Sequence, residues 1–416
     1  MARSPWTPWV VAAVVMMLLP LVFSSGASLT MMSLMGFGIV FALSYNMLLG
    51  QTGMLSFGHA VYYGLGGFVT AHALNVIGAG QWPVPLPLVP VVGGLAGLFF
   101  AVLFGWVSTK RAGTAFAMIS LGVGELVAAC SLILRGFFGG EGGISTSRTS
   151  TLSFFGFNFG PQIQVYYLIA AWCLLCMGAM YLFTRTPLGR MCNAVRDNPE
   201  RAEFVGYSTQ MVRFIAFCVS GFFAGVAGGL AAIHYEIVTS SMVGAAPSGF
   251  VLLMAYIGGV AFFIGPVIGA VLMTALQISL SDYTGAWLLY VGLMFVLVVM
   301  YAPYGLGGLL LMHRPIVMGG TWRRVLPTYA LLAVPVLLLG AGGIALIETA
   351  HHLMVKVGEG PTVHVLGVGY DAKSAVAWIV MIGMLAVGLA GLRWMAPRVS
   401  VAFHGAVQAA QRGGGA

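Results

Sequence analysis

Few residues in this chain could do chemistry, and they fall into two groups. The first is a charged loop, Thr184–Arg213, reading TRTPLGRMCNAVRDNPERAEFVGYSTQMVR. Within it, Asn198 followed by Pro199 has the form of a helix start, with a side-chain acceptor at the cap and a proline where no donor is needed. Glu200 and Glu203 then favour the first turn through the helix dipole, with Arg201 between them. Ala202, Phe204 and Val205 supply apolar surface, and Gly206 can close the helix in a left-handed conformation. A two-turn helix is unstable alone, so this one needs a surface to pack on. The second group is a polar, glycine-broken stretch containing Asn46, Gln51, Thr52, Ser56 and His59, together with Glu125. No nucleophile stands beside a base and no metal-ligand spacing recurs, so the chemistry on offer is docking and the passage of a polar solute.

These groups lie in a chain that is 60% hydrophobic and 7% charged, against about 25% charged in an average soluble domain. A soluble fold of 416 residues could not cover its surface with so few charges. The formal charge of +8 comes without a basic patch interleaved with aromatics, which argues against nucleic acid. Apolar segments near Trp9–Phe23, Leu29–Leu49, Val61–Ile77, Val89–Val107, Ala115–Leu134, Val165–Phe183, Val212–Ile233, Phe250–Ile264, Val267–Leu280 and Trp287–Tyr301 read as membrane spans. Two more follow near Tyr329–Leu346 and Ala375–Leu392. The fold class is therefore all-α, a polytopic integral membrane protein of about ten core helices plus two C-terminal ones. Phe250–Leu280, interrupted by Gly258, Gly259, Gly265 and Pro266, reads either as two spans or as one re-entrant element.

Placing the N-terminus inside and alternating sends Arg3, Lys110, Arg111, Arg185, Arg190, Arg196, Arg201, Arg213, Arg314, Arg323, Arg324, Arg393, Arg398 and Arg412 to the cytoplasmic side. Only Arg135, Arg148, Lys356 and Lys373 go outside, as the positive-inside rule requires. Both termini and the charged loop are then cytoplasmic. The N-terminal segment also has the form of a signal peptide, but a second apolar run follows at once, which favours an uncleaved span. The five cysteines lie in spans or in the charged loop and form no extracellular disulfide framework.

Inside the membrane, the backbone from Gln51 to His59 can be irregular only where protein or water satisfies it, so Asn46, Gln51, Ser56 and His59 should line a cavity or its cytoplasmic mouth. His59 also suits a plain helix-packing donor. Glu125 is the one carboxylate within a clear span; it either faces a water-filled path or another helix, or is a protonated structural group. Glycines at Gly221, Gly225 and Gly229, at Gly93 and Gly97, and at Gly265 and Gly269 repeat the i, i+4 step that lets helices approach closely. The segments Gly64–His72 and Gly225–His234 look faintly alike, as an internal repeat would.

Glu200-Arg201-Ala202-x-x-x-Gly206 resembles the Glu-Ala-Ala-x-x-x-Gly loop of bacterial ABC importer permeases, with Arg201 departing from alanine. The surrounding TPLGRMCNAVRDNPERAEFVGY, together with SYNMLLGQTGMLSFGHAVYYGLGGF, GGEGGI, AYIGGVAFFIGPVIGA and YAPYGLGGLL, is similar in order to the branched-chain amino acid permeases of high-affinity importers, the second permease type above all. The resemblance runs over about Leu29–Leu310. It implies a permease domain over 1–310 that sits in a bacterial inner membrane and forms the path for branched-chain amino acids or related small solutes. It implies that Glu200, Ala202 and Gly206 belong to a coupling helix that docks on the ATPase; Asn198, Pro199 and Arg201 complete the candidate ATPase-coupling loop. The implied partners are two ATPase subunits, a second related permease and a periplasmic binding protein.

The chain has no G-x-x-x-x-G-K-[ST], and its three lysines, Lys110, Lys356 and Lys373, lack the glycine-rich lead. No cofactor is expected on this chain; ATP and Mg would sit on the partner ATPase. A twelve-span ion-coupled secondary transporter is the alternative. The uncharged Gly50–Ala60 loop and a nearly solitary Glu125 weigh against it. Residues 311–416 lie outside the resemblance and read as an extension with two transmembrane helices. Their loop, Ile347–Ser374, holds His351, His352, His364, Glu348, Glu359 and Asp371, which suit either a metal site or a solvated loop; adjacent histidines point apart on a helix.

Overall fold

Ser25 opens and Gly53 closes the first long buried helix. The Ser25 side chain accepts from the Ser28 amide at 3.2 Å, and Gly53 takes φ +71 past the last turn. The computed structural model describes residues 7–151, 156–355, 360–365 and 367–413. Arg3, Lys356 and Glu359, and the side chain of Arg412, lie outside the described residues. Eleven of the twelve apolar segments are helical over nearly all of their length, and Phe250–Ile264 is helical only as far as Gly258. In order the helices are α1 (Thr7–Val22), α2 (Gly26–Thr52), α3 (Ala60–Gly78), α4 (Val89–Ser108), α5 (Thr114–Ile133), α6 (Arg135–Phe138), α7 (Gln162–Arg185), α8 (Pro187–Asp197) and α9 (Pro199–Phe204). There follow α10 (Thr209–Tyr235), α11 (Ala245–Gly258), α12 (Gly265–Tyr283), α13 (Trp287–Tyr301), α14 (Gly305–Met312), α15 (Arg314–Met318), α16 (Trp322–Val355) and α17 (Ala375–Gly413). Among the described residues nine helices are long and apolar enough to cross a membrane, and a tenth span results if the pair bent by 51° after Tyr301 is counted as one. The helices α1 and α11 are apolar but shorter.

The chain forms two compact units, one of residues 1–278 and 294–308, the other of 279–293 and 309–416. In the first, α10 is the central post, packed against α2, α3 and α4. The expected glycine ladders meet one another. A Cβ on Gly93 of α4 would lie 2.6 Å from the Gly225 carbonyl, and one on Gly66 of α3 would lie 2.5 Å from the Gly225 Cα. Gly97 of α4 likewise abuts Gly221, and Gly228 abuts the Tyr63 carbonyl. Three backbones touch here, at a separation that no side chain permits. The two segments that look alike in sequence, on α3 and α10, thus face each other through Gly66, Gly67, Gly225 and Gly228.

The broken stretch after Phe250 resolves into two helices. The end of α11 lies against the start of α12 through Gly258, Gly265 and Gly269, so the pair folds back as a hairpin. At 14 residues α11 is about 21 Å long, short of the hydrocarbon core. Gly259 at the hairpin tip, with φ +107, abuts Tyr304 and Gly305, which joins two of the motifs that carry the family resemblance.

At one end of α10, a loop is stitched onto the helix terminus. Ile144–Ser145 pairs antiparallel with Ile237–Val238. Arg148 forms an ion pair with Glu236 at 3.7 Å and donates to the carbonyls of Phe159, His234 and Gly160. At the other end, Cys192, Val195, Ala202, Val212 and Ala216 form a small core under the charged loop, flanked by Phe183, Leu188 and Met191.

In the second unit α16 and α17 run antiparallel. Gly342 lies opposite Met381 and Met384, and Gly388 and Gly391 lie against Pro335. A hairpin of Thr362–Val365 and Val368–Asp371 packs against Ile344, Ala345 and Leu353. The polar residues of the expected outer loop are used locally: Glu348 accepts from the Tyr290 hydroxyl at 2.8 Å, and the His352 ring meets the Gly360 carbonyl at 2.8 Å. Among the described residues no three histidines, cysteines or carboxylates converge as a metal site would need.

Gly225→Val should abolish the folded, monodisperse protein, because overpacking at a backbone contact costs about 3 kcal/mol or more. Gly178→Ala, where a Cβ meets nothing within 4 Å, should leave it intact. Fluorescence-detected size exclusion in detergent, read against temperature, separates the two. Burial pushes the Cys192 thiol up to about 12, so its thiolate is scarce at neutral pH and becomes common only in strong alkali. Cys192 should therefore resist maleimide between pH 7 and 9 in native membranes, whereas Phe204→Cys on the same loop should label within minutes.

Candidate functional site

The charged loop is built from two capped helices. Thr186 caps α8 by accepting from the Gly189 amide at 3.2 Å, with Pro187 next to it. Asn198 caps α9 by accepting from the Arg201 amide at 3.0 Å, with Pro199 at the first helical position. Gly206 has φ +92; its amide donates to the Glu203 carbonyl at 2.8 Å, and the Tyr207 amide donates back to Ala202 at 3.1 Å. Glu203 accepts from the Thr209 hydroxyl at 2.8 Å, so it ties α9 to the first turn of α10. Ser208 caps that helix through the Met211 amide.

The sides of α9 differ. Ala202 is 4% exposed and belongs to the small core with Cys192 and Val212. Phe204 is 90% exposed and Val205 73%, with Tyr207 and Met211 also open on the following turn. Glu200 and Arg201 are exposed beside them. This chain leaves two large apolar side chains in the open at the end of a helix too short to hold itself.

The polar stretch lies where α2 ends and α3 begins. Asn46 and Ser56 are buried, and His59, 1% exposed, stands between Phe41, stacked at 5.5 Å, and Tyr45, edge-on at 5.3 Å. The Ser44 hydroxyl donates to the Phe41 carbonyl at 2.7 Å, which leaves it to accept from His59 Nε2 at 3.0 Å. In the neutral ring Nδ1 then carries a lone pair. It has no partner, and neither do the Tyr45 hydroxyl, Asn46 Oδ1, Gln51 Oε1 and Ser56 Oγ. Among the described residues five of the seven buried side-chain atoms without a hydrogen bond thus fall between Tyr45 and His59. Three of the five are acceptors only, so what each lacks is a hydrogen-bond donor.

Serines hold the stretch in place. Ser220 of α10 donates to the Ser44 carbonyl at 2.6 Å, Ser248 of α11 accepts from the Ala60 amide at 3.0 Å, and Ser120 of α5 accepts from the Phe57 amide at 3.0 Å. Gly58 abuts the Ser120 carbonyl directly. Asn46, Ser56 and His59 are buried within this stretch, and Gln51 is half-buried at the end of α2. Glu125 is exposed on α5, next to Gly124, which abuts Gly58 of the stretch, and it forms no ion pair among the described residues. Sequence reading missed the three serine clamps, for which the only available signal was a small hydroxyl within an apolar span. It also counted Arg196 merely as a charge. In the fold Arg196 donates to the Gly50 carbonyl, which lies 146 residues away in sequence.

Comparison with known proteins identifies the family. The chain is 29% identical over 298 residues to the high-affinity branched-chain amino acid transport system permease protein LivM of Salmonella typhimurium, covering 67% of this chain and 68% of that one. It is 28% identical over the same length to LivM of Escherichia coli, with the same coverage. A probable branched-chain amino acid transport permease protein LivH of Methanocaldococcus jannaschii is 25% identical over 65% of this chain and 88% of its own. No solved structure matches. The family profile described as branched-chain amino acid transport system, permease component, matches residues 27–302, and the chain belongs to that family.

Proposed function

We propose that this permease works as one of two membrane subunits of an ATP-driven importer, with α9 as the element that docks on an ATPase subunit. The observation that carries the reading is the two-sided α9: Ala202 anchors it to the chain's own core while Phe204 and Val205 stand open. Two ATPase subunits, a second related permease and a periplasmic binding protein complete the assembly. ATP and Mg bind on the ATPase, and this chain binds no cofactor. The site is a bacterial inner membrane, with both termini and the α8–α9 loop cytoplasmic.

The solute is a branched-chain amino acid or a related small molecule. Supporting this, the unpartnered atoms of Tyr45, Asn46, Gln51, Ser56 and His59 suit a donor group such as an ammonium. Glu125 faces the second permease: it is exposed among the described residues, and an ionised carboxylate open to lipid would cost several kcal/mol.

Orientation is tested by impermeant maleimide on intact cells. Cysteines at Ser145 and Ser241, both exposed, should label from outside, and one at Ser208 only after permeabilisation. The reverse pattern would overturn the topology. Docking is tested by Gly206→Val and Glu200→Lys. A Cβ at Gly206 meets nothing within 4 Å, so the cost is backbone strain alone, about 1–2 kcal/mol at φ +92. Glu200→Lys opposes the helix dipole by about 0.5 kcal/mol. Both variants should reach normal membrane abundance yet copurify less ATPase and lose most uptake. Full uptake by both, or solute accumulation by this chain alone under a proton gradient, would sink the reading.

A further inference from the structure

Arg196 joins the two halves of the site. From the last turn of α8, its Nη1 donates to the Gly50 carbonyl in the last turn of α2, and its Nε donates to Asp197 Oδ1 at 2.9 Å. Its Cγ lies 3.0 Å from where a Cβ on Gly53 would stand, and Gly53 has φ +71. The turn that ends α2 is thus shaped around the arginine stem. The neighbouring carbonyls are satisfied from within the helix end. Leu49 O accepts from the Gly53 amide at 3.0 Å, and Leu48 O accepts from the Met54 amide at 3.2 Å and the Thr52 hydroxyl at 2.6 Å. The Gly50 carbonyl instead takes a cation from another element, where the helix dipole also favours one.

What stands on each side of this contact gives it meaning. Two residues after Arg196, Asn198 caps α9, the helix with the open Phe204 and Val205. On the α2 side, Gly50 is followed by Gln51 and lies one turn after Asn46, whose side chain abuts it. A Cβ on Gly50 would also lie 2.6 Å from the Val260 carbonyl in the turn between α11 and α12. A displacement of the α8–α9 loop cannot leave the end of α2 unchanged while this bond holds. Once the bond is broken, the Gly50 carbonyl loses its partner in the closed-packed turn.

We infer that Arg196 is a positioning residue that transmits movement of the docked α8–α9 loop to the last turn of α2, and so sets the arrangement of the polar stretch Asn46–His59. The inference rests on the coupling role proposed for α9. It assigns to one side chain the step between ATP hydrolysis and the opening of the path.

The test uses the full complex in proteoliposomes, with Leu55→Cys as a reporter in the stretch between α2 and α3. With Arg196 present, the maleimide labelling rate at that cysteine should differ about fivefold or more between nucleotide-free and vanadate-trapped complexes, the scale of coupling between linked sites. In Arg196→Ala the rate should no longer follow nucleotide state. Solute moved per ATP should fall about tenfold, while the amount of bound ATPase and basal hydrolysis stay at wild-type levels. Arg196→Lys keeps a cation but only a point donor, and should restore part of the solute-to-ATP ratio. It also serves as the second variant if the alanine form is poorly made. An alanine complex with a wild-type ratio and state-dependent labelling, or a lysine complex no better coupled than the alanine one, would overturn the inference and leave the docking role of α9 standing. A wild-type chain that captures no ATPase would overturn both.

Discussion

The structure depends first on the absence of side chains at one crossing. Lipid offers no hydrophobic drive for helices to associate, so close backbone contact must supply the attraction. Here α10 meets α3 and α4 through Gly66, Gly93, Gly97, Gly221, Gly225 and Gly228. That crossing fixes the course of α10, and both functional ends of the first unit hang from it. Its start at Thr209 is bonded to Glu203 of the charged loop, its middle holds the Ser44 backbone through Ser220, and its last turn and the Glu236 that follows it carry the contacts to Arg148.

The two ends differ in how firmly they are made. Around Arg148 there are a paired strand, an ion pair and donors to three carbonyls, with the arginine side chain largely buried. Around α9 there are six helical residues, a single side-chain cap and a five-residue core. Opening free energy within a fold tracks such local differences, so the loop side is the one drawn from the low-stability end.

Much of this was legible in the sequence because it is local. Asn198-Pro199 and Gly206 specify a short capped helix from neighbouring residues alone, and the caps and the left-handed glycine are found where that chemistry puts them. The i, i+4 glycines announced tight packing, though not which ladder meets which, since that depends on helices more than a hundred residues apart. The same limit hid the Arg196 contact and the serine clamps, whose partners are distant in sequence. The break after Phe250 was visible as glycine and proline, but two spans and one re-entrant element share that signature; the fold puts separate helices α11 and α12 on either side of it, in contact through Gly258 and Gly265. Glu125 was grouped with the polar stretch by chemistry; the helix phase of α5 turns it outward.

The lengths of the last two helices have a consequence of their own. With 34 residues α16 is about 51 Å long, and with 39 residues α17 is about 58 Å. A hydrocarbon layer of about 30 Å could contain such rods only at tilts beyond 50°, steeper than transmembrane helices adopt. The apolar part of α17 ends at Arg393, where Arg398 folds over the Trp394 ring at 3.5 Å, an aromatic and a cation of the kind that mark a membrane boundary. Beyond Arg393 the helix runs on for about 30 Å to Gly413, packed through Ala406 against Ile316 and Val325. Both helices are thus longer than the hydrocarbon layer is thick, so the surplus length of each has to lie outside it.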